Sequence, residues 1–329
     1  MNIQAHWQRL GALAVLLFPL SLLFRLVVAL RRGLYRVGLL RTWRFAAPLI
    51  VVGNITVGGS GKTPLVIWLA GYLREQGFKP GIVSRGYGGK ARNWPQQVRA
   101  DSDPSVVGDE AVLLAQRAHC PVCVAPDRPA AVRSLLQHTD CDIVISDDGL
   151  QHYAMGRDLE IVVIDGDRRF GNGLMLPAGP LREPLSRLRS VDLVICNGAA
   201  GGGEFAMKLR QPQVYPLSGD APASGIERFA GQPVRAIAGI GNPQRFFDML
   251  GAHGLQVEAH AFADHHAFRA QDLTFDSAIP LLMTEKDAVK CRRIHNGEAW
   301  VVSVDAQPDA PFIHRLNMAL AQLPPASKK

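Results

Sequence analysis

Residues Asn54-Ile55-Thr56-Val57-Gly58-Gly59-Ser60-Gly61-Lys62-Thr63 leave this chain few folds to choose from. They lie between an apolar run, Leu49-Ile50-Val51-Val52, and a segment whose apolar residues Leu65, Val66, Trp68, Leu69 and Leu73 recur with helical spacing. Strand, glycine-rich loop and helix in that order make the loop that wraps a polyphosphate. Glycine lets the backbone approach phosphate oxygens closely, and the helix N-terminus adds a favourable partial charge. In that reading Thr56, Gly58, Gly59, Ser60 and Gly61 form the cradle. Lys62 reaches the β- and γ-phosphates, and the Thr63 hydroxyl holds Mg²⁺. The general signature G-x-x-x-x-G-K-[ST] wants glycine where this chain has Thr56; Gly58 and Gly59 supply the flexibility instead. A glycine-rich turn ahead of a helix is the bland alternative, and Gly-Lys-Thr in this context argues against it.

The rest of the chain suits such a loop. Apolar runs at 48–53, 80–84, 121–125, 142–146, 159–164 and 191–196 alternate with helical patterns at 62–76, 108–118, 128–138 and around 186–190. The Val/Ile runs are continuous, as in strands covered on both faces, so the spacing predicts a parallel sheet. The expected fold is α/β, a doubly wound, mostly parallel sheet of the P-loop NTPase type. Gly198 to Gly203 reads as a joint, and runs at 213–218, 234–239, 256–262, 280–284 and 299–304 predict a second, smaller α/β lobe. The expected boundaries are 1–46 for an apolar, Arg-rich membrane-associating segment, 47–198 for the P-loop core, and 199–329 for a C-terminal lobe completing the nucleotide and catalytic site. The tail from Pro324 to Lys329 is expected to be disordered.

A formal charge of +7 over 329 residues suggests nucleic acid until its distribution is examined. Arg9, Arg25, Arg31, Arg32, Arg36, Arg41 and Arg44 precede residue 50 without any Asp or Glu, and they account for the whole excess. A neutral body with a cationic head is not the footprint of a nucleic-acid reader. The head is also apolar: Leu10 to Phe24 is uncharged, and Leu26 to Leu30 continues past Arg25. Fifteen residues fall short of the roughly 20 a span requires, and Pro19 would kink a helix there. The reading adopted is a helix in the headgroup region with arginines for anionic lipid; a true span and a buried core helix are the alternatives. In either membrane mode the arginines after the apolar stretch keep the body cytoplasmic. Cys120-Pro121-Val122-Cys123 matches a redox spacing, but it opens a buried strand and reads as structural, in a reduced cytosolic protein.

Several segments carry chemistry. The strand Asp142 to Ser146 ends in Asp147 and Asp148, where P-loop enzymes place a metal-site acid. Gly108-Asp109-Glu110 opens a helix; its acids either stabilise the helix N-terminus or supply a general base for an alcohol acceptor. Asp264-His265-His266 follows a strand and either tunes such a carboxylate across a cleft or forms a surface turn. Leu176 to Pro184 is a Pro/Gly-stiffened loop, a plain connection or a lid bringing Arg182 near phosphate. Ser84 to Lys90, with Arg85, Tyr87 and Lys90, is a mobile loop at the sheet's ligand-binding edge. Thr284-Glu285-Lys286-Asp287 resembles base-reading Lys-x-Asp loops, with different spacing.

Together these segments resemble one family, the tetraacyldisaccharide 4′-kinases of Gram-negative lipid A assembly, in order from the N-terminus to about residue 290. The resemblance implies transfer of the γ-phosphoryl of ATP, with Mg²⁺, to the 4′-hydroxyl of a tetraacylated glucosamine disaccharide 1-phosphate. Asp109 would be the base, paired with His265 rather than His266, and Lys62 and Thr63 would bind phosphates and metal. Asp147, Asp148 and Glu183 would complete the metal shell, and Thr284, Glu285, Lys286 and Asp287 the nucleotide pocket. The implied partners are the lipid substrate and the cytoplasmic face of the inner membrane, without nucleic acid or an obligate protein partner. The Thr56 departure is in keeping with this family. A substrate with four acyl chains gives the cationic apolar head a purpose. The rival is a membrane-associated P-loop ATPase or GTPase switch; Val57 stands where such targeting ATPases carry Lys, and Thr284–Asp287 is not the GTPase Asn-Lys-x-Asp. A structural protein with a relic P-loop would not keep Lys62, Thr63, Asp147 and Asp148.

Overall fold

The structure, a computed structural model, describes residues 6–219, 221–275, 279–295 and 297–326. Helix α1 (Ala12–Arg36) precedes the body and stays helical through Pro19. The first lobe then runs β1 (Leu49–Gly53), α2 (Lys62–Glu75), β2 (Pro80–Ser84), β3 (Gln96–Val98), α3 (Asp109–Arg117), β4 (Val122–Val124), α4 (Arg128–His138), β5 (Ile143–Asp147), β6 (Leu159–Asp165), β7 (Leu193–Asn197) and β8 (Phe205–Leu209). The second lobe holds β9 (Gln213–Pro216), β10 (Ser224–Gly225), β11 (Pro233–Ala238), α5 (Pro243–Ala252), β12 (Gln256–Ala261), β13 (Leu281–Thr284), α6 (Glu285–Cys291) and β14 (Ala299–Ser303). The chain returns to the first lobe in β15 (Ala306–Pro308) and α7 (Ala310–Leu320).

Among the described residues the first sheet has nine strands in the order β15-β8-β7-β6-β1-β5-β2-β4-β3, parallel except for β3 and β15 at the edges. Central β1 explains the continuous apolar run. Ile50 and Val52 pack with Leu65, Leu69 and Leu73 of α2, while Leu49 and Val51 face the opposite cluster with Val132 and Leu135 of α4. Both faces are covered, so both sets of alternating side chains are apolar. The second sheet has the order β10-β9-β14-β13-β11-β12, with β11 to β14 parallel and β9 antiparallel beside them.

The sheets divide the chain differently from the expected boundary at 198/199. Strand β8 pairs with β7, β15 pairs with β8, and Phe312 and Leu316 of α7 are buried in the first lobe's core. The second lobe is therefore an insertion between β8 and β15. Helix α1 also differs from expectation in length, at 25 residues against the fifteen-residue uncharged stretch. One face docks: Ala14 and Ser21 are buried, the Ser21 hydroxyl donates to Met175 O at 2.7 Å, and Phe24 and Val28 pack on the body. The opposite face exposes Leu16, Leu23, Leu26 and Leu30, so α1 is not a buried core helix. It is long and apolar enough to cross a membrane. Of the tail, residues 327–329 lie outside the described residues.

Candidate active site

Strands β1 and β5 are parallel neighbours with Val52 opposite Asp147, so the P-loop and the paired acids emerge at the same carboxyl edge. This edge, where the chain leaves β1 between β5 and β6, is the position that α/β sheets reserve for ligands. In the loop, Gly58 and Gly61 have φ of +101° and +90°. A Cβ on Gly61 would also lie 2.6 Å from Asn197 Nδ2, which reaches over from the end of β7. Glycine is required there on both counts.

Lys62 Nζ stands 3.4 Å from Asp148 Oδ1, and Arg182 donates to both Asp148 oxygens at 3.2 and 3.1 Å. Burial alone would raise the Asp148 pKa, but Lys62 and Arg182 hold it well below the usual carboxylate range. Asp147 is the opposite case. Burial, together with Glu110 and Asp148, pushes its pKa up. Ser84 Oγ donates to its Oδ2 at 3.3 Å, while its buried Oδ1 has no partner among the described residues. A deeply placed carboxylate with an unmatched oxygen and like charges around it fits a cation. No cluster of three or more His, Cys, Asp or Glu side chains forms a metal cage among the described residues. Mg²⁺ needs only one or two protein carboxylates, because it keeps several of its waters.

Helix α3 begins at Asp109, and Gly108 before it has φ +94°, where a Cβ would come within 2.4 Å of Tyr87 O. Asp109 is buried. Across the cleft, 156 positions later in sequence, His265 Nδ1 lies 3.0 Å from its Oδ2 and 3.2 Å from its Oδ1. His265 adopts φ +58°, and the Tyr87 ring sits 4.8 Å from its own. His266 turns the other way, to Asp272 at 3.0 Å. Burial favours a protonated Asp109, yet the bond from His265 and the charges of Lys286 and Lys290 bring its pKa below the usual value. The same bond raises that of His265.

Of the Thr284–Asp287 segment, only Lys286 reaches this cluster. Thr284 caps α6 through Asp287, whose Oδ2 also accepts from Gly239 N at 3.0 Å. Glu285 pairs with Arg117 of α3 and accepts from Tyr215 Oη, tying α6 to the first lobe. Glu183 is buried, accepts from Tyr153 Oη at 2.8 Å and pairs with Arg187 at 3.2 Å, with its Oε1 unmatched. The loop around Arg182 is no lid. It is strapped to the P-loop by Val57 N to Pro180 O at 2.8 Å and Arg182 N to Ile55 O at 2.7 Å. Burial raises the thiols of Cys120 and Cys123 to about 12 and about 11, as structural cysteines require.

Sequence reasoning missed Arg128. Its side chain is fully buried beside the acids, with Nη2 donating to Asp147 O at 3.1 Å and its Nε and Nη1 unmatched among the described residues. Asp127-Arg128-Pro129, two residues beyond the end of β4, was the available signal, a cation at the ligand edge of the sheet. Asn197, which donates to Ser60 O at 3.4 Å, carried no motif at all.

A phosphate-binding loop, paired acids at its mouth and an Asp–His pair joined from the facing lobe define a nucleotide-dependent phosphotransferase of the P-loop class. The family model described as LpxK, tetraacyldisaccharide-1-P 4′-kinase, matches residues 13–321. The chain belongs to that family. It is 54% identical over 297 residues to the tetraacyldisaccharide 4′-kinase of Nitrosococcus oceani, covering 90% of this chain and 88% of the relative. To that of Alkalilimnicola ehrlichii it is 52% identical over 307 residues, covering 93% and 92%. The crystal structure of LpxK from Aquifex aeolicus in complex with ATP superposes with a TM-score of 0.77 at 26% identity, over 93% of this chain and 98% of that one.

Proposed function

We propose that this chain transfers the γ-phosphoryl group of ATP to the 4′-hydroxyl of a tetraacylated glucosamine disaccharide 1-phosphate, at the cytoplasmic face of the inner membrane. It is an ATP- and Mg²⁺-dependent kinase of lipid A assembly. The observation that carries the reading is the Asp109–His265 pair facing an intact P-loop. A nucleotide switch has no use for a buried carboxylate bonded to a histidine of the second lobe.

In this reading the backbone from Thr56 to Gly61 cradles the phosphates and Lys62 offsets charge on the γ-phosphoryl as it moves. Asp109, oriented by His265, takes the proton of the acceptor hydroxyl. That oxygen bonds to the γ-phosphorus as the bond to the β–γ bridging oxygen breaks, and ADP departs. Thr63, Asp147, Asp148 and Glu183 would hold Mg²⁺, which when bound neutralises phosphate charge and fixes the phosphate chain. Thr284, Glu285, Lys286 and Asp287 frame the second-lobe wall of the nucleotide pocket. Thr284 and Asp287 cap α6, while Glu285 and Lys286 reach across to the first lobe.

Residues 1–46 act as the membrane-associating segment, and residues 47–198, with the strands that return to that sheet, form the kinase core. Contacts from Ala14 to Val28 cover one side of α1 along much of its length. A helix clamped so to a polar body cannot be ringed by lipid, so it lies in the interface with its free apolar side downward. The enzyme then meets its lipid substrate at the bilayer surface and needs neither nucleic acid nor an obligate protein partner.

The test is phosphate transfer from [γ-³²P]ATP to detergent-dispersed tetraacyldisaccharide 1-phosphate. Label in the lipid, dependent on Mg²⁺ and absent with Lys62→Ala, is expected. Free phosphate released equally with and without lipid would overturn the reading in favour of an ATPase switch.

A further inference from the structure

Three consecutive carbonyl groups of the phosphate loop are each held by a side chain, from three places in the first lobe. Buried Asn54 donates from Nδ2 to Gly58 O at 3.3 Å. Arg168, just past the end of β6, donates from Nη2 to Gly59 O. Buried Asn197, at the end of β7, donates to Ser60 O at 3.4 Å. A trans peptide is planar, with its C=O and N–H pointing to opposite sides. Each carbonyl so held turns the following N–H away from the side chain that holds it. Those N–H groups belong to Gly59, Ser60 and Gly61, and among the described residues none of the three donates a hydrogen bond. Successive backbone N–H groups left free in a turn of this kind make an anion nest.

Arg168 is the most firmly anchored of the three holders. Its Nη2 has two hydrogens, one for Gly59 O and one for Asp165 Oδ2 at 2.9 Å, and Nε reaches the same carboxylate oxygen at 3.2 Å. Asp165 is buried, and its Oδ1 accepts from the backbone N–H groups of Asp167 and Arg168 at 3.1 and 3.0 Å. Arg245, on the first turn of α5, adds a bond to Oδ2 at 3.2 Å from the second lobe. The guanidinium also lies close against the loop: a Cβ on Gly58 would stand 2.9 Å from its Nη1. A planar, forked cation serves the carboxylate and the carbonyl together.

We propose that Arg168 is a positioning residue for phosphoryl transfer: anchored on Asp165, it holds the Gly59 carbonyl outward and so aims the Ser60 N–H at the phosphate chain of ATP. This rests on the reading of the loop as the ATP site of a kinase. A stretch containing Gly58, Gly59 and Gly61 has many peptide orientations open to it, and an outside hold on the carbonyl selects one. Donors fixed before the substrate arrives cost no reorganisation when charge develops on it. The backbone of such a loop cradles the phosphates as far as the β-phosphate, while the lysine reaches on to the γ-phosphate. ATP and ADP therefore both use the Ser60 N–H, and AMP lacks the β-phosphate it serves.

The test compares wild type with Arg168→Met and Asn197→Ala, as full chains in detergent micelles. It reads affinities for ATP, ADP and AMP by calorimetry. Arg168→Met is expected to weaken ATP and ADP alike by roughly tenfold to hundredfold, with AMP near wild type. Asn197→Ala, which removes an uncharged donor from the neighbouring carbonyl, should give the same pattern. Loss confined to ATP would overturn the proposal, because a guanidinium acting on the γ-phosphoryl itself would produce it. Equal loss for all three nucleotides would overturn it too, since that is what a merely structural arginine gives. So would an Asn197→Ala variant with wild-type affinities, which would leave the charge of Arg168 as the cause. Should Arg168→Met unfold, Asp165→Asn, which loosens Arg168 without removing its charge, supplies the same three affinities. Transfer of label to lipid by the wild type tests the kinase reading separately; if that fails, the nucleotide affinities still decide the role of Arg168.

Discussion

Replacing Leu16, Leu23 and Leu30 by glutamine should strip the protein from membranes without unfolding it. Seven-residue spacing puts the three on one stripe of α1, drifting by only about 20° per step. That stripe lies opposite Ala14, Ser21 and Val28, which face the body. The three leucines are 75%, 58% and 62% exposed, together about two whole side chains of free apolar surface. Full burial of a leucine is worth about 1.5–3 kcal/mol, so the stripe contributes about 3–6 kcal/mol to partitioning. At about 1.4 kcal/mol per decade, binding should weaken by roughly 10² to 10⁴. Sedimentation with vesicles of anionic phospholipid, over a range of lipid concentrations, measures this directly. Thermal unfolding of the same variant should stay within the roughly 0.5 kcal/mol expected of surface changes. Partitioning within a few-fold of wild type, in a variant that melts normally, would refute the argument. The arginines or another surface would then hold the enzyme to lipid.

Other outcomes follow from the same geometry. Lys62→Ala should lower turnover by at least about 10²-fold, read by phosphate transfer, because no other side chain in the loop carries charge to the γ-phosphoryl; wild-type turnover would remove the P-loop from the mechanism. Asp109→Asn should cost roughly 10² to 10⁴ in kcat while ATP binding, read by calorimetry, stays near wild type; weakened ATP binding with normal kcat would reassign the residue. The joint between the lobes should respond to pH. The Asp109 pKa is lowered from 3.8, so its contribution is full above that value and fades as pH falls through the lowered one. That of His265 is raised from 6.5, so its contribution is full below 6.5 and fades as pH climbs through the raised value. The difference in melting temperature between wild type and His265→Gln should therefore be largest in the window between about pH 4 and 6.5. A difference that does not vary with pH would contradict it.

What was legible in the sequence was what is local. The strands at 80–84 and 159–165 and the helix at 128–138 stand where the apolar patterns put them, because buried parallel strands are apolar on both faces. Strands β8 and β15 escaped notice. Phe205-Ala206-Met207-Lys208-Leu209 lies near a sheet edge with Lys208 exposed, and a short mixed run carries little signal. Missing them put the lobe boundary too early, since nothing in the order of residues says that a chain will return to its first sheet. The P-loop was visible because ten consecutive residues make it. The Asp109–His265 pair was visible only as two weak segments whose meeting depends on how the lobes pack, and residues alone left His265 and His266 equal. The structure separates them by the turn at His265, whose positive φ sends one ring to Asp109 and the next to Asp272. Helix α1 ran longer than its uncharged stretch because an arginine such as Arg25 can keep its charge in water while its stem covers apolar surface.

The loop between β6 and β7 connects the apolar helix α1 to the candidate site. Ser21 of α1 holds Met175 O, and Trp7, ahead of α1, donates to Pro177 O at 3.0 Å. Asn172 N returns a bond to Trp7 O at 2.7 Å. A few residues on, Pro180 O accepts from Val57 N, and Arg182 N donates to Ile55 O within the phosphate loop. The Arg182 side chain then ends on Asp148. From α1 to the acids beside Lys62 there is thus a short series of hydrogen-bonded contacts. A P-loop on a free tether would meet a membrane-bound hydroxyl at all heights and angles, and phosphoryl transfer depends on in-line placement to within a fraction of an ångström. With α1 as the proposed membrane element, its depth would set the height of the phosphate loop above the lipid.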